Sequence, residues 1–337
     1  MKEEVKEEVA SRFGEDFSFP QSMLQTLTGA IPSTISRHIA SNDYPYIPRY
    51  GAKRKRFAFD ITQKICYQLM TQGLIPEKKV QVFFNFKGGT GKTSLCHQLS
   101  VFFSLIGFKV LVIDCDPQAH LSYSLGFDEH EDNKTLYDVI VNNVPIENVI
   151  QKVYHTLDCI PSNLSLTRLE LPLNQKPNRE KVISRTIEPL KSKYDFIFID
   201  TNPTISTVNR NVTLAADVLN IVCETQPYSL KGLEMLVEEI KSFSQAMEME
   251  IYYRIIPNKY ESKTATSQEA IGTLRRDYRE HVMESVVRKC EDFNISVKKR
   301  KPLVAFCSRS SIAFEDLCDL GKEILINSTS KLQELSK

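Results

Sequence analysis

Residues 87–94, Lys87-Gly88-Gly89-Thr90-Gly91-Lys92-Thr93-Ser94, concentrate the residue types that hold phosphate oxygens. Glycines let a backbone turn with its N–H groups pointing inward, and a helix N-terminus behind them adds positive potential. Lys92 is placed to reach β- and γ-phosphates, Thr93 to ligate Mg²⁺, and Ser94 to extend the cradle. The usual phosphate loop has a glycine where this chain has Phe86, and a second lysine, Lys87, precedes the glycine pair instead. Two acidic segments complete the set. The apolar run 110–113 leads to Asp114 and Asp116, which point the same way if the strand continues. A second apolar run, 196–199, ends in Asp200.

These groups need elements to hold them. Val80–Phe86 reads as a strand running into the loop, and Lys92–Ile106 as the helix behind it. That helix carries Leu95, Leu99, Phe102, Phe103 and Ile106 on one face and ends at Gly107. Further strands are expected at 108–113, 196–199, 218–222 and 252–256, with helices through 230–247, 266–282 and 311–326. Apolar strands alternating with helices predict an α/β fold, a mostly parallel sheet with helices on both faces. Ligands in such sheets bind beyond the carboxyl ends of the strands.

The chain has 337 residues, enough for about two domains, and its character changes near residue 78. We expect a small helical domain over 1–78 and the sheet domain over 79–337. With 43 basic and 42 acidic residues the net charge is +1, so nucleic-acid binding would have to use local patches. Eight scattered cysteines include no C-x-x-C pair and read as small buried hydrophobes of a reducing cytoplasm. There is no apolar run of membrane-spanning length, and the acidic start does not read as a secretory signal.

The loop resembles the deviant Walker A sequence K-G-G-x-G-K-[ST] of the ParA/MinD family of ATPases, and the likeness extends over about residues 79–326. Residues 114–118 are similar to the family's switch I (D-x-D-P-Q), whose second aspartate positions the attacking water, here Asp116. The strand ending in Asp200 resembles the Walker B strand, whose aspartate assists Mg²⁺ through water. The resemblance implies ATP and Mg²⁺ as cofactors and a catalytic set of Lys87, Lys92 and Asp116. It also implies a metal set of Thr93, Asp116 and Asp200, and an ATP-dependent homodimer in which Lys87 crosses to the partner's nucleotide. Asn258 stands where the family often contacts adenine, and a plain strand-end turn is the alternative. Ala119 and His120 depart from the family's usual Gly-Asn after switch I, and Asn202 from its double proline after Walker B.

Two segments point toward DNA. Residues 22–29 and 32–39 read as two short helices separated by a turn of helix-turn-helix length, with Ser33, Thr34, Ser36 and Arg37 facing a groove. The basic run that follows includes Lys53, Arg54, Lys55 and Arg56, suited to phosphates. A helical hairpin with no DNA role is the plainer alternative. The arrangement resembles the N-terminal domain of type Ia plasmid ParA proteins, which represses the partition operon. Lys298, Lys299 and Arg300, with Lys289 upstream, form a second basic group that either is a solvated face or grips DNA without sequence preference. The expectation is a DNA-partition ATPase, nucleoid-associated, with a ParB-like centromere-binding partner and no membrane. The alternatives are a MinD-like positioning ATPase and a nucleotide-responsive transcriptional repressor.

Overall fold

The computed structural model describes residues 18–47, 55–128 and 133–331. Strand β1 (Ser18–Pro20) pairs antiparallel with β2 (Arg56–Ala58), and between them lie α1 (Gln21–Thr28) and α2 (Pro32–Asn42). Gly29 ends α1 at φ +73°, a left-handed turn that glycine adopts without strain, and Pro32 opens α2 where its missing N–H has no helical partner to lose. Helix α3 (Phe59–Cys66) continues through a π-helical turn, Tyr67–Thr71, to β3 (Leu74–Pro76).

The central sheet holds β4 (Val80–Phe84), β5 (Val110–Asp114), β6 (Gln151–Tyr154), β7 (Leu157–Ile160), β8 (Phe196–Asp200), β9 (Val218–Glu224) and β10 (Tyr253–Asn258). Their order is β10-β9-β4-β8-β5-β7-β6, with every pair parallel except β7 and β6. Strands β4, β5 and β8 are buried at every position because both faces are covered. Alternation divides their side chains between two cores. Phe83, Val110, Val112, Phe196 and Phe198 point into one, and Val82, Leu111, Ile113, Ile197 and Ile199 into the other.

The helices of the sheet, in chain order, are α4 (Lys92–Leu105), α5 (His120–Ser124), α6 (Leu136–Ile140), α7 (Glu170–Asn174) and α8 (Val182–Ile187). They continue with α9 (Thr207–Ala215), α10 (Pro227–Met247), α11 (Ala265–Asp277), α12 (Glu291–Lys299), α13 (Leu303–Phe306) and α14 (Ile312–Ser328). Strand β11 (Thr329–Lys331) then pairs with β3.

The expected apolar stripe on α4 is buried, but so is the rest of the helix apart from Thr93 and Ser94. The cause is a second layer. Phe19, Leu24 and Leu27 from the N-terminal segment and Phe314, Leu317 and Leu320 from α14 belong to the same core as Leu95, Leu99 and Phe102. Gly321 of α14 lies so close to the Phe102 ring that a Cβ there would sit 2.5 Å from it. Two long-range bonds serve the buried polar groups of α4: Gln63 Nε2 donates to the Ser104 carbonyl at 2.6 Å, and Gln98 Nε2 to Ser296 Oγ at 2.7 Å, whereas His97 Nε2 is buried without a hydrogen-bond partner.

Candidate functional site

Strand β4 lies between β8 and β9, so the loop after it opens at the middle of the sheet's carboxyl edge. Asn85 stops the strand two residues before the expected Phe86. Its Nδ2 donates to the Val222 carbonyl at 2.8 Å, and its Oδ1 accepts the Lys87 N–H at 2.9 Å. Gly89 (φ +75°) and Gly91 (φ +98°) take conformations that L side chains rarely adopt. Asn258, at the end of β10, donates Nδ2 to the Thr90 carbonyl at 2.6 Å, and a Cβ on Gly91 would lie 2.4 Å from that nitrogen. The Asn258 amide is thus turned onto the loop itself. Gly88 and Gly89 are exposed, while Thr90 is buried.

Lys92 opens α4, is buried, and bends its Nζ onto the Lys87 carbonyl at 3.1 Å. Burial lowers its pKa from the ordinary lysine value, and the Asp200 and Asp116 carboxylates pull the other way. Thr93 Oγ1 donates to Asp200 Oδ2 at 2.7 Å. The other Asp200 oxygen, Oδ1, is buried without a hydrogen-bond partner. Burial first, then the neighbouring Asp114 carboxylate, pushes Asp200 well above the usual carboxylate range. A cation next to Thr93 and that orphaned oxygen would relieve both effects. Among the described residues no cluster of three or more His, Cys, Asp or Glu side chains could hold a metal unaided. The Thr93–Asp200 pair and its unpartnered oxygen fit Mg²⁺, which keeps waters and takes phosphate oxygens beside one or two protein groups.

Strand β5 stops at Asp114, so the continuation that would align Asp114 with Asp116 is not met. Asp114 and Asp200 are cross-strand neighbours in the β5–β8 register. Asp114 accepts the Ser122 N–H at 2.9 Å, the Ser122 hydroxyl at 2.7 Å and the Asp116 N–H at 3.0 Å. That last bond turns the chain out of the strand, so period-2 alternation does not apply beyond Asp114. Burial pushes the Asp114 carboxyl up to about 6, against the pull of those bonds. Asp116 accepts the Gln118 N–H at 2.9 Å, and its carbonyl takes the Ser162 hydroxyl at 2.6 Å. After β8, Asn209 Nδ2 donates to the Asn202 and Thr204 carbonyls at 2.9 and 2.6 Å, fixing the loop behind Asp200.

Lys87 is exposed, but its ammonium lies on its own chain, 2.5 Å from Glu224 Oε2 and 3.1 Å from Ser229 Oγ. Sequence reasoning did not single out Glu224. The available signal was a charged residue directly after the apolar run 218–223. A cavity of about 350 Å³ beside the loop is lined by Gly91, Thr93, Ser94, Asn258, Lys289 and Phe293, among others.

Of the groups expected to meet DNA, Ser33, Thr34, Ser36 and Arg37 are exposed on α2, and Ser36 Oγ accepts from Gln21 at 3.0 Å. Lys53 and Arg54 lie outside the described residues. Lys55 is exposed, with its ammonium 4.9 Å from the Tyr46 ring. Arg56 donates to Ser18 Oγ at 2.9 Å and to the Ser18 carbonyl. Lys289 pairs with Glu261 at 3.1 Å. Lys298 and Lys299 are exposed at the end of α12. Arg300 is committed elsewhere: it donates to Asp128 at 2.7 Å and to the Tyr123 carbonyl at 3.0 Å, over the Tyr123 ring.

A phosphate loop at the centre of a parallel sheet, with a threonine–aspartate pair behind it, defines a P-loop nucleoside triphosphatase. Residues 78–253 match the family described as AAA domain. The chain is similar to the cell division protein PomZ of Myxococcus xanthus, 31% identical over 225 residues, which are 66% of this chain and 70% of that one. It is similar also to the sporulation initiation inhibitor protein Soj of Bacillus subtilis, 26% identical over 251 residues, 74% of this chain and 99% of that one. Among solved structures, the ATP complex of a Cyanothece McdA variant shares the fold, with a TM-score of 0.67 and 21% identity, covering 77% of this chain and all of that one. The chain belongs to the ParA/MinD family of P-loop ATPases and is an ATPase. Among the described residues no helix is long and apolar enough to cross a membrane.

Proposed function

We propose that this chain is a partition ATPase whose ATP-bound form closes a homodimer on DNA. The observation that carries the dimer is the face around the phosphate loop. Leu164, Ile205 and Tyr228, which follow the carboxyl ends of β7, β8 and β9, are 67%, 63% and 90% exposed. All three lie beyond the carboxyl edge of the sheet, the edge that carries the phosphate loop, and a second copy seated there would cover them. ATP binds with its phosphates on the N–H groups of residues 88–93, its β- and γ-phosphates near Lys92, and its base toward the cavity beside Asn258 and Phe293. Thr93 and Asp200 would hold Mg²⁺, which would supply charge neutralisation at the phosphates. Asp116 orients the attacking water, and Lys87 of each subunit reaches the nucleotide of the other.

DNA binding rests on the basic segments. Arg56 and Arg309 line a cleft of about 600 Å³ together with Ser18, Ser22 and Phe306. The Lys299 ammonium lies 4.8 Å from the Phe306 ring. Segments far apart in the chain thus border one cleft, which supports a single extended phosphate-binding surface that includes Lys55 and Lys298. Arg37 and its neighbours on α2 would then add sequence preference. A centromere-binding partner, ParB-like in role, stimulates hydrolysis and releases the dimer. The likeness to PomZ favours one second reading, in which the same cycle positions a protein assembly instead of a replicon.

The test is light scattering with AMPPNP, with and without random duplex DNA. Dimers that bind the duplex, and that are lost in Lys87→Ala, support the proposal. A chain that stays monomeric with saturating AMPPNP refutes it.

A further inference from the structure

Lys87 and Lys259 converge on one carboxylate. Glu224 is the last residue of β9 and stands opposite Asn258 in the β9–β10 register. Its Oε2 takes the Lys87 ammonium at 2.5 Å, and its Oε1 takes Lys259 at 2.8 Å. Lys259 also donates to the Gly89 carbonyl, which ties the same carboxylate to the phosphate loop. The Glu224 side chain is 12% exposed, whereas that of Lys87 is 50% exposed. The backbone of Lys87 is fixed through Asn85, so only its side chain is free to swing. Burial tends to raise the Glu224 pKa, but the bonds from Lys259 and Lys87 outweigh it and hold the carboxyl below its ordinary value.

We propose that Glu224 is a positioning residue for Lys87: it folds that ammonium back onto its own chain, and letting it go is the step that admits a second copy across the nucleotide. This rests on the dimer reading above. An ammonium bonded to Glu224 and Ser229 has to leave both to reach a phosphate of another subunit. Lys259 makes the exchange reversible, because after Lys87 departs the sheltered carboxylate keeps one counter-charge and is not left unpaired. The departing bond is half exposed and charge-assisted, so its restraint is modest, roughly twofold to fivefold in the equilibrium.

The test uses the full chain and Glu224→Gln, which keeps the shape and removes the charge. Acetic anhydride labelling of Lys87 without added nucleotide, read by peptide mass spectrometry against Lys298 as internal reference, should speed up about twofold to fivefold. The dimer dissociation constant in AMPPNP should fall by about the square of that factor, because each of the two subunits releases a Lys87, and Glu224→Gln should change nothing in a Lys87→Ala background. If Glu224→Gln does not fold, Ser229→Ala, which removes only the second hydrogen bond, should still raise Lys87 labelling. Unchanged labelling overturns the proposal, as does a tighter dimer that persists without Lys87. Faster labelling in a chain that never dimerises supports the restraint on Lys87 and refutes the dimer reading, so the two failures are distinguishable.

Discussion

Gly91→Ala is a stringent test of the loop. At φ +98° a Cβ meets the backbone strain of the left-handed region, about 1–2 kcal/mol for an L residue. It would also stand 2.4 Å from Asn258 Nδ2, a buried group already bonded to the Thr90 carbonyl. Displacing Asn258 breaks that bond and leaves buried polar atoms unpaired, for about 1–3 kcal/mol more. The sum is about 2–5 kcal/mol, and its lower middle, ~3 kcal/mol, is roughly 150-fold in affinity. Titration with a fluorescent ATP analogue measures it, with urea unfolding run in parallel to separate loop damage from global loss. Gly232→Ala is the control: it sits within α10 with nothing within 4 Å of its Cβ, and should leave binding intact while stabilising by ~1 kcal/mol. Adding Asn258→Ala to Gly91→Ala should cost little further, because the clash and the bond disappear together. Strictly additive losses, or Gly91→Ala binding like the wild type, would refute the geometry.

Lys92→Ala should abolish binding of the same analogue, because it removes the buried cation that the proposed reading sets beside the transferring phosphate. Asp116→Ala should bind ATP and dimerise but release phosphate slowly, which single-turnover kinetics would separate from a binding defect. Converting Lys298 and Lys299 to Glu should lower the magnitude of the log K against log salt slope for random duplex by about 0.9 for each phosphate no longer neutralised, and an unchanged slope would remove α12 from the DNA surface. Burial lowers His97 to a pKa of about 4, so the unfolded chain binds the extra proton as pH falls below about 6.5. Stability from neutral His97 is therefore present above that pH and lost toward pH 4, reaching about 2 kcal/mol at pH 5. His97→Gln should lose correspondingly less between pH 7.5 and 5 in urea melts.

The central strands were legible because sheet burial on both faces leaves continuous apolar runs, as in 110–113 and 196–199. Their ends were not, because side chains decide them: Asn85 caps β4, and the Asp114 carboxylate turns the chain after β5. Strand β7 escaped notice because Asp158 interrupts its apolar run. The structure satisfies that carboxylate with the Tyr194 hydroxyl at 2.7 Å and Lys152 at 2.9 Å. The phosphate loop could be read from its glycines and flanking elements, and the three aspartates from the ends of apolar runs together with the family resemblance. That Lys87 rests on Glu224, and that Arg300 is tied to Asp128, depends on long-range pairings that no local pattern encodes.

Helix α4 is enclosed by residues from both sides of it in the chain, with Phe102 sealed by Gly321 of α14 and β3 joined to β11. A ribosome makes the phosphate loop long before it makes that seal. At about 5–20 residues per second, the aromatic flank of α4 waits on the order of 10–40 s for α14 to emerge. Until then the nascent chain has its nucleotide-binding sequence but not the packed helix that holds Lys92 and Thr93 in register. Activity therefore begins only once α14 has emerged, and the waiting surface is one that a chaperone would be expected to cover.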